Sequence, residues 1–335
     1  KRFKRGSGFP LRVPAIELIE IGAGGGSIAR LDELGLLKVG PDSAGADPGP
    51  ACYRQGGTLP TVTDANLVLG YLNPDYFLGG DMALDENASR RAINEHCAVS
   101  LGVTLEEAAA GICDLVSENM TDAARVHIAE QGEDPRRFSL MAFGGAGPLH
   151  AYSVAVKLGI RELICPAGAG VISSLGQLTA PMAFDLVRTH YGSLDELDWK
   201  RLRKSQADLS KEAKSYLKLA GVPEKKIVLA YSADMRYAGQ CYEIRVPLPS
   251  SALGAKGIPA IRRAFWREYQ KLYGRSVDNV TLEMVNLRLS ARGPRPSLRF
   301  HWQHTDGAHE EGKTGLTGKR RIYLKEAGGY CNAAV

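Results

Sequence analysis

Three short glycine clusters constrain the fold of this chain more than any other feature of its sequence. They lie at residues 22–26, 144–147 and 168–170, and each follows an apolar stretch that we interpret as a β-strand. Glycine permits the positive φ angles and close backbone contacts that tight turns require. The placement predicts strand-to-helix turns rather than flexible linkers, and the order strand, glycine turn, helix, strand indicates an α/β fold with a parallel sheet.

Capping residues and apolar periodicity locate the elements around these turns. A capping box at residues 104–107 begins a long helix that ends near Gly132, and Pro148 suits the first turn of a helix that ends at Gly159. Strands are predicted at 138–143 and 161–165, and an extended segment at 11–21. The stretch 35–63, rich in glycine and proline, is predicted to be an ordered, irregular loop that packs on the same side of the domain as residues 24–27.

The character of the sequence changes near residue 185. A charged amphipathic helix at 198–220 is followed by a hairpin that turns at 238–240, a helix from 261 to 274 and a strand at 281–291. We therefore predict two domains: an α/β domain over residues 1–185 with the glycine-rich turns, and a smaller α+β domain over residues 186–335.

Composition excludes several classes of protein. The chain has 335 residues, 44% of them hydrophobic, yet no apolar run reaches the ~18 residues of a membrane span. Six dispersed cysteines without a C-x-x-C pair suggest neither a zinc ribbon nor a disulfide framework, which favours the cytoplasm. The net charge of +5 gives no reason to infer nucleic acid. Basic clusters at residues 1–5 and 319–321 could contact phosphates, although solvated strand ends are the favoured interpretation.

The strongest candidate for a ligand site is the turn at residues 144–147. Gly144, Gly145 and Gly147 let the backbone approach a flat or anionic ligand, and the following helix offers its positive N-terminus. A nucleotide suits this arrangement, but a packing turn between helix and sheet explains the glycines equally well. The spacing matches neither the Rossmann nor the P-loop fingerprint. His150 could bind a ligand oxygen or hydrogen-bond the turn, and the second alternative is slightly favoured.

Two further sets of residues are weaker candidates. Gly24, Gly25, Gly26 and Ser27 could form an anion nest for a phosphate. Asp64 and Asp234 are candidate catalytic or Mg²⁺-linked carboxylates, of which Asp64 is the stronger. For both, a structural role is favoured: Asp64 as a helix cap and Asp234 within a hairpin. No residue is assigned as a metal ligand.

Several motifs, taken in order, resemble the hydantoinase A/oxoprolinase family. They are IGAGGGSIA at 21–29, VGP at 39–41, SAGA at 43–46, PGPACY at 48–53, GG at 56–57, TVTDAN at 61–66, FLGG at 77–80, GGAGPLHA at 144–151 and MRYAGQ at 235–240. The resemblance spans about residues 10–295 and is highly specific because so many motifs follow in sequence.

The resemblance implies an actin-like ATPase fold with ribonuclease-H-like sheets that close on ATP and Mg²⁺. It implies a hydrolase-type component that uses ATP to activate a cyclic amide, as hydantoinases and oxoprolinases do, or a ketone enol for carboxylation, together with a hydantoinase B-type subunit or domain. By the family pattern, Gly144, Gly145 and Gly147 would face the adenosine, and Gly24 to Ser27 would lie near the phosphates or the domain hinge. A homodimer is a further option.

The departures from the family pattern lead to a second hypothesis. The acidic, glycine-rich phosphate hairpins of the family are absent, as if the N-terminal half of the ATPase domain were missing, and the β-rich tail stops early. Both ends look cut. The chain alone is therefore expected to bind ATP and Mg²⁺ weakly or not at all. The alternative to an enzyme component is a truncated, non-catalytic module that retains the fold and a surface for a partner or a second copy.

Overall fold

A computed structural model describes residues 18–249, 253–275, 277, 280–297 and 318–334. The contacts among these residues form two units. The first unit contains residues 18–175 and 318–334, and the second unit contains residues 176–297. The predicted segments 1–185 and 186–335 differ from this division chiefly because the last described residues, 318–334, belong to the first unit. The predicted basic cluster at residues 1–5 and most of the extended segment at 11–21 lie outside the described residues.

The first unit combines short strands with five of the helices. Its strands are β1 (Ser27–Leu31), β2 (Leu37–Ser43), β3 (Leu140–Met141), β4 (Leu163–Ile164), β9 (Lys319–Leu324) and β10 (Gly329–Ala334). Its five helices are α1 (Val62–Val68), α2 (Glu86–Ile93), α3 (Val99–Leu101), α4 (Leu105–Glu130) and α5 (Gly147–Leu158). A further helix, α6 (Ile172–Thr179), follows β4 and spans the boundary between the two units. β3 and β4 pair in parallel, which confirms the predicted parallel arrangement, although both are shorter than predicted. β1 pairs with β2 and β9 with β10, both antiparallel.

The core of the first unit lies where α1, α2 and α4 pack together. The capping box of α4 is confirmed: the Thr104 side chain accepts from Glu107 N, and the Glu107 carboxylate accepts from Thr104 N. This cap starts a helix of 26 residues whose apolar side includes Ile112 and Val116, both fully buried against Ile93 of α2. Burial of this stripe, rather than helix propensity, stabilises so long a helix.

The second unit is a four-stranded antiparallel sheet with two helices packed on its strands. The sheet order is β5 (Ala183–Ser193), β8 (Leu282–Arg292), β6 (Val228–Tyr237) and β7 (Ile244–Leu248). α7 (Trp199–Leu219) packs on β5 and β8, and α8 (Ile258–Tyr273) packs on β7. The buried side chains include Phe265, Leu209 and Met284. The predicted helices, hairpin and strand of this region are confirmed.

Three local predictions are wrong. The glycine cluster at 22–26 precedes a strand, β1, instead of joining a strand to a helix, and residues 18–21 form no strand. Residues 37–43 form β2 within the stretch predicted to be irregular. Thr61, not Asp64, is the N-cap of α1, and Asp64 is its third residue. Thr61 and Asp64 make a reciprocal capping box, which the Thr-x-x-Asp spacing resembles but which normally uses Glu or Gln.

Within the described ranges, no helix combines the length and the apolar character needed to cross a bilayer.

The sequence around residues 235–240 has a structural explanation in the second unit. The Tyr237 hydroxyl accepts from Val277 N (2.9 Å), and the Gln240 side chain donates to the Tyr269 hydroxyl (2.9 Å). The Tyr237 ring packs edge-on against Phe265. These contacts fix the turn between β6 and β7 on α8.

Candidate functional site

The turn at residues 144–147 joins β3 to α5 and borders open space. Gly144 has a φ of +91°, which favours glycine, and its N–H donates to Ala169 O (2.9 Å). A Cβ added to Gly145 or Gly147 would meet no atom within 4 Å. Only Gly144 is therefore required by the backbone, whereas Gly145 and Gly147 leave room beside the chain for another molecule.

The N-terminus of α5 directly follows this open turn. Gly147 and Pro148 form the first helical residues, and no side chain caps the helix. An uncapped N-terminus presents the positive end of the helix dipole and backbone N–H groups. Turn and helix start together can hold an anionic or flat polar group, as expected from the sequence.

A buried hydrogen-bond network lies beneath the first turn of α5. His150 is 3% exposed; its Nε2 is 3.5 Å from Asn66 Nδ2 on α1, and its Nδ1 is 3.4 Å from Ser117 Oγ on α4. The Ser117 hydroxyl donates to Cys113 O (2.8 Å), and the Cys113 thiol donates to Asn66 Oδ1 (3.5 Å). The Ser117 hydrogen is thus engaged, so Ser117 accepts from a protonated Nδ1, and the Asn66 amide donates to Nε2. The network connects α1, α4 and α5.

This network holds His150 neutral. Burial lowers the pKa of His150 below its usual value and raises the pKa of the Cys113 thiol to about 12. Protonation of Nε2 would oppose the donor group of Asn66, which adds to the cost of burying the charge. The structure thus supports the favoured alternative for His150, a hydrogen-bonding role, rather than direct binding of a ligand oxygen.

We expect the stability of the chain to fall as the pH drops below about 6.5, the pKa of an unfolded histidine. Because the folded-state pKa of His150 is lowered, the unfolded state binds the proton first, and stability is lost as the pH falls toward the folded-state pKa. The slope approaches about 1.4 kcal/mol per pH unit for one proton. Urea unfolding at a series of pH values from 7.5 to 5 measures it.

His150→Gln is expected to flatten this dependence, whereas the matched exposed-site variant His96→Gln leaves it unchanged. His190, whose pKa burial also lowers, contributes a second increment that persists in both variants. An identical slope for His150→Gln and the unsubstituted chain would contradict the assignment.

A cleft of about 430 Å³ opens beside this network in the first unit. Its walls come from the loop after α1, the middle of α4, the start of α5 and the β9–β10 hairpin. Polar or ionisable side chains on these walls are Tyr71, Cys113, Asp114, Ser117, His150, Tyr152, Ser153, Arg320, Tyr323, Lys325 and Glu326. The volume lies within the range of small-molecule sites.

The Gly24 to Ser27 segment is largely engaged in packing. The Ser27 hydroxyl accepts from Gly24 N (3.0 Å) and donates to Gly22 O (3.4 Å). Ser27 is 4% exposed, so its side chain serves the turn itself. A Cβ on Gly24 would meet no atom within 4 Å, so this residue leaves open space.

Gly25 and Gly26 lie against neighbouring side-chain hydroxyl groups. A Cβ on Gly25 would approach Thr63 Oγ1 to 2.6 Å, and one on Gly26 would approach Ser43 Oγ to 2.8 Å. Thr63 N donates to Gly25 O and Ala44 N to Gly26 O. The predicted packing of the 35–63 stretch on this turn is thereby confirmed. Tight packing accounts for these two glycines, and their predicted role in cofactor binding stays a prediction.

Asp64 lies at the centre of a fully buried cluster. Its carboxylate accepts from Ala51 N (3.2 Å), Cys52 N (2.9 Å), Thr61 N (2.9 Å), the Thr61 hydroxyl (2.7 Å) and the Ser89 hydroxyl (2.6 Å). Asp64 has no exposed surface. These contacts favour the role of an anchor that ties the 3₁₀ turn at residues 51–53 to α1 and α2. The catalytic role stays a prediction without support from the geometry.

Asp234 lies in the second unit on β6 and is 4% exposed. Both of its carboxylate oxygens are 2.8 Å from Arg288 Nε, and one also accepts from Asn286 Nδ2 (2.8 Å). Arg236 pairs with Glu283 at 2.8 Å. Both charges are thus neutralised within the sheet.

α1 is the element that joins the candidate residues of the first unit. Thr63, the second residue of α1, contacts the Gly25 turn, and Asn66 of α1 contacts His150. Sequence analysis missed Cys113 and Ser117 as members of the network. Their signal was available: Cys113, Ser117 and Thr121 follow at intervals of four on an otherwise apolar side of α4. Among the described residues, no group of three or more side chains suited to a metal ion lies together.

The fold and the cleft define an α/β protein with a candidate ligand site at the start of a helix. The family model for hydantoinase/oxoprolinase matches residues 2–185, and the model for the hydantoinase/oxoprolinase C-terminal domain matches residues 195–334. The chain belongs to the hydantoinase/oxoprolinase family, as the sequence motifs indicated.

Relatives with assigned names cover most of the chain. It is 38% identical over 295 residues to caprolactamase subunit alpha of Pseudomonas jessenii. This alignment covers 87% of this chain and 42% of the relative. It is 31% identical over 335 residues to the acetone carboxylase beta subunit of Xanthobacter autotrophicus. This alignment covers 94% of this chain and 46% of the relative. The chain thus spans less than half the length of these relatives.

Two solved structures resemble the chain. Acetone carboxylase in its nucleotide-free form matches with a TM-score of 0.76 and 29% identity, and ATP-dependent caprolactamase from Pseudomonas jessenii matches with a TM-score of 0.68 and 34% identity. Each match covers 93% of this chain and 45% of the solved chain. The chain therefore has the α/β fold of this group of enzymes.

Proposed function

We propose that the chain is a component of an ATP-dependent enzyme that activates a cyclic amide or a ketone. The observation that carries the proposal is the likeness to an ATP-dependent caprolactamase and to acetone carboxylase over 93% of the chain. Both relatives act on a carbonyl compound, a lactam in one case and a ketone in the other. Which of the two chemistries applies here depends on residues that present the substrate, and we propose that these belong largely to other parts of the enzyme.

The turn at 144–147 fits a nucleotide because it leaves space where side chains would stand. We propose that Gly145 and Gly147 lie against ATP, that Gly144 sets the turn by its positive φ, and that the start of α5 faces a polar part of the ligand. When bound, ATP supplies a phosphoryl group for activation of an amide or enol oxygen. His150 and its partners hold α5 in position against α1 and α4 beneath this turn.

Gly24 is the residue of the 24–27 segment that best suits a place near the phosphates or the hinge, because its Cα borders open space. We assign Gly25, Gly26 and Ser27 to the packing that orients it. We assign Asp64 to anchoring the 3₁₀ turn at residues 51–53. Mg²⁺ belongs to the proposal for a complete enzyme, and none of the described residues is proposed as its ligand.

Exposed apolar residues on the parallel strands and directly after β3 support a partner polypeptide. Met141 and Phe143 are 52% and 49% exposed, and Leu163 and Ile164 are 37% and 38% exposed. Parallel strands in proteins are normally covered on both faces. This observation also favours the second candidate function, a non-catalytic module with a surface for a partner. A hydantoinase B-type subunit is the partner we propose, and a second copy of this chain is the alternative.

Replacing Gly145 by Val is expected to weaken ATP binding at least tenfold while the fold is retained. The Val side chain would occupy the space beside the turn, and the φ of Gly145 lies outside the positive region, so the backbone accepts a side chain there. Calorimetric titration of ATP with Mg²⁺ into the protein assembled with its partner subunit measures the affinity. The 335-residue chain alone, titrated in parallel, is expected to bind weakly.

Gly254→Val serves as the matched control, since a Cβ there also meets open space but lies in the second unit. It is expected to leave ATP affinity unchanged. If Gly145→Val binds ATP as tightly as the unsubstituted protein, the assignment of the turn is wrong. If the assembled protein binds no ATP at all, the non-catalytic module is the better account.

A further inference from the structure

The basic run at residues 319–321 begins β9, in which Lys319 and Arg321 are exposed and Arg320 is half-buried, and the strand packs on the rest of the first unit. Tyr323 N donates to Leu69 O (2.9 Å), and the Tyr330 hydroxyl donates to Val68 O (3.0 Å). Gly70 lies directly under this strand: a Cβ there would approach Arg321 O to 2.2 Å. The hairpin of β9 and β10 therefore packs closely on the loop after α1.

A second cleft, of about 470 Å³, opens on the side of this hairpin that faces α2 and the start of α4. We name it the arginine cleft. Its charged side chains are Arg90, Arg320, Arg321, Glu86 and Glu106, and Tyr330 lies beside them. Its apolar lining consists of Leu67, Val68, Leu72 and Pro74. No residue of the 144–147 turn or of α5 lines it.

The two carboxylates of the arginine cleft are both engaged by one arginine. Arg90 pairs with Glu86 (Nη1 to Oε1, 3.3 Å) and with Glu106 (Nη2 to Oε1, 3.1 Å). Within the described part of the chain, neither Arg320 nor Arg321 pairs with a carboxylate. Arg320 makes one long hydrogen bond to Tyr71 O (3.4 Å), and Arg321 lies over the Tyr330 ring with Cζ 4.6 Å from its centroid.

Among the described residues, this leaves most N–H donors of the two guanidinium groups without a partner. Arg320 and Arg321 are consecutive on β9, so their side chains leave the strand on opposite faces, and Arg320 borders the first cleft as well. Each guanidinium has five N–H donors in a planar fork that matches phosphate oxygens. Arginines elsewhere in the structure, such as Arg30, Arg262 and Arg288, are satisfied by a carboxylate. The contact with Tyr330 holds the Arg321 guanidinium over the face of the ring.

We propose that the arginine cleft binds a small phosphate-bearing anion through Arg320 and Arg321. A phosphate dianion neutralises both charges and accepts several charge-assisted hydrogen bonds. The apolar lining next to the guanidinium groups suits the organic part of a phosphate monoester. Arg90 stays with its two carboxylates and bounds the cleft on the α2 side. This site contains no residue of the proposed nucleotide turn, although Arg320 also borders the first cleft.

Phenyl phosphate is the probe, titrated into the 335-residue chain at low ionic strength and followed by calorimetry. Arg320→Gln and Arg321→Gln are each expected to weaken binding about tenfold or more, because each removes charge-assisted hydrogen bonds. Lys319→Gln is the matched control, since it removes the same charge from the same strand outside the cleft, and it is expected to leave the affinity unchanged. Glu86→Gln removes a negative charge from the cleft and is expected to tighten binding severalfold.

Two comparisons define the ligand and protect the test from misfolding. Inorganic phosphate that binds as tightly as phenyl phosphate identifies the free ion as the ligand, and tighter binding of phenyl phosphate identifies an ester. Arg320→Lys, which keeps the charge but not the fork, is expected to fall between the other variants. Glu86→Gln leaves both hairpin arginines in place, so it tests the charge of the cleft without altering β9. The proposal is overturned if neither phosphate binds, or if Lys319→Gln weakens binding as much as the arginine variants do. It is also overturned if ATP displaces phenyl phosphate with the same affinity with which ATP binds at the 144–147 turn.

Discussion

Asp64→Ala is expected to destabilise the first unit by about 4 kcal/mol or more, one of the largest effects of any single substitution in the chain. The change leaves the N–H groups of Ala51, Cys52 and Thr61 buried without an acceptor, and it removes the partner of the Ser89 hydroxyl. Each buried donor without a partner costs about 1–3 kcal/mol. Urea unfolding followed by circular dichroism measures the loss.

Asp85→Ala is the matched control for this variant. Asp85 also sits at a helix start, where it caps α2 by accepting from Ala88 N (3.0 Å), but it is partly exposed and has fewer partners. Its loss is expected to cost about 1 kcal/mol, the usual value of an N-cap. If Asp64→Ala instead keeps full stability and loses only ATP-dependent turnover of the assembled enzyme, Asp64 is catalytic and its anchoring role is wrong.

Asp234→Ala is expected to destabilise the second unit by about 3–5 kcal/mol. It leaves the guanidinium of Arg288, which is 7% exposed, without its carboxylate, and a buried charge that loses its partner is strongly unfavourable. Asn286 loses an acceptor as well. Thermal and urea unfolding of the variant measure the change.

Replacing both members of the pair separates the loss of the ion pair from a general defect. Asp234→Val combined with Arg288→Leu is expected to recover most of the stability, because no unpaired charge remains. Asp195→Ala, which breaks the exposed pair with Arg262, is the control and is expected to cost less than about 1 kcal/mol. A similar small loss for Asp234→Ala would show that Arg288 finds another partner.

The helices and strands that carry local signals were predictable from the sequence. α4 has a capping box, α5 has proline in its first turn and Gly159 after its end, and α7 has a strongly amphipathic pattern. β6, β7 and β8 have the alternation and turn residues of an antiparallel sheet. In each case the residues that determine the element lie within it or next to it.

Elements defined by distant contacts were not predictable in the same way. β2 lies in a stretch of glycine and proline whose composition indicates a loop, and it forms because β1 supplies a pairing partner. Asp64 appears as a helix cap from its position, whereas its role depends on Ala51 and Cys52, which a loop brings to it. The docking of β9 on Leu69 joins residues about 250 positions apart.

The same distinction applies to the candidate site. The turn at 144–147 was identified because a strand, glycines and a helix start are adjacent in the sequence. The four glycine and serine positions at 24–27 look alike in the sequence but differ in the structure: Gly24 borders open space, whereas Gly25 approaches Thr63. Only the tertiary neighbours distinguish a glycine needed for packing from one that leaves room for a ligand.

The return of β9 and β10 to the first unit makes that unit discontinuous along the chain, with the second unit as an insertion between its two parts. During synthesis, the second unit emerges with all its strands before residues 319–334 leave the ribosome. The first unit, although it begins earlier, acquires this shared wall of both clefts only after the second unit has been synthesised. Loss of residues 319–334 would therefore open both clefts while removing no strand of the second unit.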